Sequence, residues 1–201
     1  MRGLALCTGI GGLELGIKLA VPAYRSVCLV EREAYAAALL VRQMEAGRLD
    51  ACPIWDDLAT FDGRRWRGCV DVVSAGFPCQ PFSVAGSQRG TDDERWLWPD
   101  IARILGDVRP RYVFLENVPP IVTHGLGHIL GTLAEGGFAA EWDCFRASDV
   151  GAPHRRERWF LLAHASGEGH QGDEPGELRG TRGGAQGGAV AELCASPLAD
   201  T

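Results

Sequence analysis

No apolar run in this 201-residue chain approaches the roughly 18 residues of a membrane span, so an integral membrane protein is excluded as the starting reading. The first residues lack a basic segment leading into an apolar signal core and a cleavage site, and a cytoplasmic protein is expected. The seven cysteines, at 7, 28, 52, 69, 79, 144 and 194, contain no Cys-x-x-Cys pair. That removes the usual zinc and thioredoxin-type signatures, and no metal is expected. Their odd number and wide spacing fit reduced thiols better than a disulfide framework. An excess of positive charge is also missing. The net charge of −6 weighs against a nucleic-acid partner without excluding one. Lysine is almost absent, one against nineteen arginines, which reads first as genomic base composition and second as phosphate recognition.

What is present is ordinary for a globular domain: 46% apolar and 23% charged residues, enough chain for one full core. The charge is unevenly placed. Residues 164–201 carry six acids against two arginines, a net of −4, leaving −2 for residues 1–163. This last stretch is rich in glycine and nearly free of apolar residues up to 190, and is expected to form a disordered tail after a domain spanning 1–163.

Apolar strand-like runs alternate with helical patterns along residues 1–163. Leu4–Cys7, Ser26–Val30, Pro53–Leu58, Val70–Ala75, Arg111–Leu115, Glu141–Arg146 and Arg158–Ala163 read as strands. Leu13–Ala20, Ala34–Met44, Trp96–Leu105 and Gly125–Glu135 read as helices. The pattern predicts an α/β fold of Rossmann-like type, a mostly parallel sheet with helices on both faces.

In such a sheet ligands gather at the carboxyl ends of the strands. The first strand runs into Thr8-Gly9-Ile10-Gly11-Gly12-Leu13, a glycine turn opening a helix, suited to a ligand that approaches the backbone closely. Glu14 stands where the dinucleotide fingerprint needs a third glycine, which disfavours a nicotinamide or flavin dinucleotide. Glu31 ends the second strand about 20 residues on, where an acid would hold a ribose hydroxyl pair. Asp57, beside Leu58, is placed either to contact an adenine or to cap a helix.

The central stretch is Gly76-Phe77-Pro78-Cys79-Gln80-Pro81-Phe82-Ser83, at the end of the Val70–Ala75 run. Each proline fixes its own φ and forces the preceding residue into an extended conformation, leaving Cys79 little freedom. A cysteine met alone is an inert packing residue by default; here it is clamped where ligands bind. The Ser83–Glu94 stretch that follows is long and aperiodic, and a loop of that length usually has a function.

Together these residues resemble the cytosine-5 DNA methyltransferase family over residues 3–163. The resemblance implies that Thr8, Gly9, Ile10, Gly11, Gly12 and Leu13 form the methyl-donor loop for S-adenosylmethionine, with Glu31, Asp57, Leu58 and Pro78 as further cofactor contacts. Pro78-Cys79-Gln80 is similar to the nucleophile loop, with Gln80 and Ser83 beside the substrate. Glu116-Asn117-Val118 is similar to the acid motif, with Asn117 also toward the substrate. His154-Arg155-Arg156-Glu157-Arg158 resembles the Gln-x-Arg-x-Arg motif, with histidine where the family usually has glutamine. Cytosine C5 cannot take a methyl group directly. A thiolate adding to C6 makes C5 nucleophilic, which the resemblance assigns to Cys79; Glu116 then neutralises charge at N3, and Arg156 and Arg158 hold the base. The base must leave the duplex to be reached. The family's target-recognition domain, expected after the Arg-x-Arg strand, has no counterpart here, which implies a truncated or split form whose partners are DNA and a second chain. A non-catalytic remnant and an RNA cytosine methyltransferase are the alternatives.

Overall fold

The structure, a computed structural model, describes residues 1–78 and 96–166. Cys79, Gln80, Ser83, the Ser83–Glu94 loop and all of the expected tail beyond Ser166 lie outside the described residues.

Seven strands form one sheet in the order β3-β2-β1-β4-β5-β7-β6. Strand β1 (Arg2–Leu6) lies between β2 (Arg25–Val30) and β4 (Val72–Gly76), parallel to both. Strand β3 (Ile54–Trp55) extends one side and β5 (Tyr112–Asn117) the other, also parallel. Strand β7 (Glu157–Ala165) enters antiparallel between β5 and β6 (Phe138–Arg146). The sheet is therefore mostly parallel, as the alternation predicts, with one reversed strand that the alternation does not reveal. The last strand runs to Ala165, two residues past the boundary expected at 163.

Helices cover both faces. Helices α1 (Gly12–Ala20) and α2 (Ala34–Glu45) lie on the side of Ala5 and Leu29, where Leu40 and Leu49 complete a small core. The larger core is on the other side, under α3 (Trp98–Val108), the one-turn α4 (Ile121–His124) and α5 (Leu126–Glu135). Helix α3 shows why: Ile101, Ile104, Leu105 and Val108 recur at the spacing of one helical face, all are buried, and proline opens its first turn. Each such side chain contributes about 1.5–3 kcal/mol by burial.

Strand β5 records the asymmetry of the two faces. Val113, Leu115 and Asn117 are buried beneath α3–α5, whereas Tyr112, Phe114 and Glu116 alternate with them and are only half-buried. On β7, Trp159, Leu161 and Ala163 are buried in the same way and Leu162 is exposed. The side shared with α1 is thus an apolar trough along β4, β5 and β7, partly roofed by α1.

Candidate active site

The turn after β1 is held in a shape that only small residues allow. Gly9 and Gly11 have φ of +57° and +83°, and a Cβ on Gly11 would stand 2.7 Å from Leu49 Cδ1. Cys7, at φ +51°, takes the same left-handed region without being glycine. The Thr8 amide donates to the Val30 carbonyl at 3.1 Å, and Gly11 N–H donates back to Thr8 at 3.1 Å. Glu31 fixes the turn from the neighbouring strand: Oε2 accepts from Gly9 N–H at 2.6 Å and Oε1 from Glu33 N–H at 2.7 Å. Each oxygen keeps a second lone pair for a ligand hydroxyl.

Glu116 ends β5 directly across the ladder from Gly76, and Arg158 of β7 reaches it from the other side, Nε to Oε1 at 2.8 Å. Both side chains are about a quarter exposed, at 26% and 23%. The reversed strand makes this contact possible, because β7 begins at the edge where β5 ends.

A cleft of about 860 Å³ joins these two features. It brings together Thr8, Gly9, Ile10, Gly12 and Leu13 with Glu116, Arg156 and Arg158, over an apolar floor that includes Phe114 and Phe160, stacked at 5.8 Å. Arg156 is exposed at its rim. Side chains added at Gly9 or Gly12 would meet nothing within 4 Å, so the backbone there is open to a ligand.

Six sequence expectations are not on the cleft wall: Gly11 and Glu31, which shape the glycine turn from behind it, and Asp57, Leu58, Pro78 and Asn117. Asp57 caps a turn: its Oδ1 accepts from Ala59 N–H at 3.0 Å and starts the 3₁₀ turn Leu58–Thr60. Leu58 is buried in the main core and its carbonyl accepts from Arg103. Pro78 is exposed and lies off the wall. Asn117, expected to face the substrate, is 3% exposed and turned into the fold. Its Nδ2 donates to the Phe77 carbonyl at 3.1 Å and its Oδ1 accepts from Val118 N–H at 2.8 Å, tying the acid's strand end to the residues just before Cys79.

The residue that sequence reasoning missed is Glu14. It lines the cleft yet is 2% exposed, and Ser74 Oγ of β4 donates to its Oε1 at 2.9 Å. Burial pushes its carboxyl above the usual range. The only signal available was an acid on the inward side of a helix between the apolar Leu13 and Ile17. Burial likewise pushes the Cys7 thiol, also on the cleft wall, up to about 12.

The family model of C-5 cytosine-specific DNA methylases matches residues 1–179. Among similar proteins, the Type II methyltransferase M.NgoMIV of Neisseria gonorrhoeae is 34% identical over 164 residues, 80% of this chain and 50% of its own length. M.CviJI of Paramecium bursaria Chlorella virus IL3A is 34% identical over 165 residues, 81% of this chain and 42% of its own. In structure, Spodoptera frugiperda DNMT2 matches with a TM-score of 0.68 at 21% identity, covering 89% of this chain and 53% of that one, a likeness of fold. The chain spans about half the length of the curated relatives it matches. Its matched residues hold the glycine turn, the Gly-Phe-Pro-Cys stretch, the Glu116 strand end and the Arg156–Arg158 segment in order, and the chain belongs to the C-5 cytosine-specific DNA methylase family.

Proposed function

We propose that this chain carries the cofactor and base chemistry of a DNA cytosine-5 methyltransferase. The observation that supports it most is the Glu116–Arg158 pair, 2.8 Å apart in one cleft with the open glycine turn, and facing Gly76 at the end of β4, the strand that precedes Cys79 in the sequence. S-adenosylmethionine fits the residues present: backbone open at Gly9 and Gly12, an apolar floor, and the Glu31 carboxylate at the second strand end. Thr8–Leu13 and Glu31 would hold it, with Asp57, Leu58 and Pro78 as outlying contacts. When bound, it supplies an electrophilic methyl group.

The chain's own residues would do the rest. The Cys79 thiolate would add to C6 of a flipped cytosine, leaving an electron pair at C5 that can take the methyl group as its old bond to sulfur breaks and that bond's electrons stay on the donor sulfur. Glu116 holds the proton shared with N3 through the oxygen that Arg158 does not occupy, so negative charge does not build on the ring. Arg158 orients Glu116, and Arg156 at the rim holds the base oxygen or a phosphate. Loss of the C5 proton to solvent would return its bond electrons to C5=C6 and expel the Cys79 sulfur as the thiolate, which restores the ring. Gln80 and Ser83 are proposed to line the base, while Asn117 acts on the loop before Cys79.

Sequence selection is proposed to come from outside residues 1–166, on a second chain. The apolar trough beside Leu162, which is 52% exposed, supports a partner surface there. An RNA substrate and a non-catalytic remnant gain no specific support. Two measurements test the reading: calorimetric binding of S-adenosylmethionine, and transfer of its labelled methyl group to duplex DNA, with Cys79→Ser as control. Retained transfer by Cys79→Ser would end the nucleophile assignment.

A further inference from the structure

Glu14 is an acid where an apolar residue would be expected. It sits in the first turn of α1, two residues after Gly12 closes the glycine turn, and its side chain is buried against the sheet. One carboxyl oxygen accepts from Ser74 Oγ at 2.9 Å; the other, Oε2, is buried with no hydrogen-bond partner among the described residues. Ser74 lies opposite Ala5 on β1 and two residues before Gly76, across from Glu116. Tyr24 closes the same polar cluster. Its ring covers Gly3 so tightly that a Cβ there would meet the Tyr24 hydroxyl oxygen at 2.2 Å, and that oxygen too is buried without a partner. A fold selected only for stability would fill this site with carbon, because unpaired buried polar atoms disfavour folding. No side chain caps the start of α1, so the Ser74 contact is what pins its first turn laterally.

We infer that Glu14 is a positioning residue: through Ser74 it braces the start of α1 against β4 and so holds the Thr8–Gly12 turn in its ligand-ready shape while fixing its spacing to Gly76, which faces Glu116. The inference rests on the proposed role of that turn in binding S-adenosylmethionine. A brace of this kind acts by removing the cost of ordering the turn when the ligand arrives. It needs an acceptor oxygen facing Ser74, not a negative charge, and burial raises the Glu14 carboxyl above its ordinary value, in the direction of the neutral form.

The test compares the full chain with Glu14→Gln, Glu14→Leu, Ser74→Ala and the double variant Glu14→Leu/Ser74→Ala. S-adenosylmethionine is titrated by calorimetry well below the melting temperature of every form. Glu14→Gln keeps the acceptor and should bind within about twofold of the parent. Glu14→Leu should melt no lower than the parent yet bind about tenfold more weakly, with Ser74→Ala between the two. The double variant should be no worse than Glu14→Leu alone, since both changes remove one contact. Parent-like affinity in Glu14→Leu overturns the inference, as does a Glu14→Gln loss equal to that of Glu14→Leu. Absence of binding by the parent chain is a separate result: it overturns the proposed role of the turn, and this inference with it.

Discussion

Gly76 and Glu116 face each other across the β4–β5 ladder, and a Cβ on Gly76 would stand 3.3 Å from Glu116 Oε2. That is tighter than ordinary contact, and the carboxylate cannot swing freely because Arg158 holds its other oxygen. Gly76→Ala should therefore leave melting temperature nearly unchanged and slow methyl transfer about tenfold, since small misplacements of reacting groups cost that much or more. Parallel melting curves and initial rates would check it; an unchanged rate would show that Glu116 tolerates displacement.

Removing the partner should do more. Arg158→Ala leaves Glu116 without the guanidinium at 2.8 Å, yet the pair is about a quarter exposed, so about 1 kcal/mol or less of stability is at stake. Activity should fall far more steeply than stability. Arg158→Lys should recover little, because a lysine ammonium lacks the planar fork that aims at a carboxylate. A lysine variant near parental activity would reduce Arg158 to a simple positive charge.

Glu31→Ala and Asp57→Ala should separate binding from folding. Glu31 accepts from Gly9 and Glu33, and hydrogen bonds to a charged group contribute about 1.5–3 kcal/mol, so its loss should weaken S-adenosylmethionine binding by roughly tenfold or more. Asp57 caps a 3₁₀ turn, and its removal should cost about 1 kcal/mol of stability with a smaller effect on affinity. Equal losses of affinity would make Asp57 as direct a contact of the ligand as Glu31.

Stability should carry the mark of Glu14 in its pH dependence. The folded carboxyl holds its proton above the ordinary value of 4.5, so the unfolded chain releases that proton first as pH rises. The folded state binds more protons in that range, and stability falls from about the unfolded value upward until the folded group ionises. Glu14→Gln removes the effect. It should match the parent in acid and exceed it near neutral pH in urea titrations. A gap that is constant with pH would mean that the carboxyl titrates alike in the folded and unfolded chain.

Thiol labelling offers a check that needs no DNA. Burial pushes Cys7, Cys28 and Cys52 up to about 12, so their thiolate fractions near neutral pH are negligible. Iodoacetamide followed by peptide mass spectrometry should modify Cys79 well before these three. Faster labelling of Cys7 would contradict the raised thiol of this half-buried side chain.

The parts of the site legible in the sequence are those written in local backbone chemistry. Glycines at 9 and 11 announce a turn with positive φ, and acids at 31 and 116 stand where apolar runs stop. What the sequence conceals depends on neighbours far along the chain. Asn117 reads like a site residue beside Glu116, but strand alternation turns it to the opposite face. Glu14 reads only as a departure from the dinucleotide fingerprint until Ser74, 60 residues away, is placed against it. The antiparallel pairing of β7 is invisible for the same reason: a strand's direction is set by its partners, not by its own residues.

That reversed strand also separates the chemistry from the continuation of the chain. Strand β7 starts beside Glu116 and ends at Ala165, where Ser166 N–H donates to the carbonyl of Gly137 at the opposite edge of the sheet. Nine strand residues at about 3.3 Å each put roughly 30 Å between Glu157 and that exit. A reporter or affinity handle joined after Ser166 is therefore anchored on the far shore from Arg158, and successive fusions there can be exchanged without touching the ladder that holds the acid and its arginine.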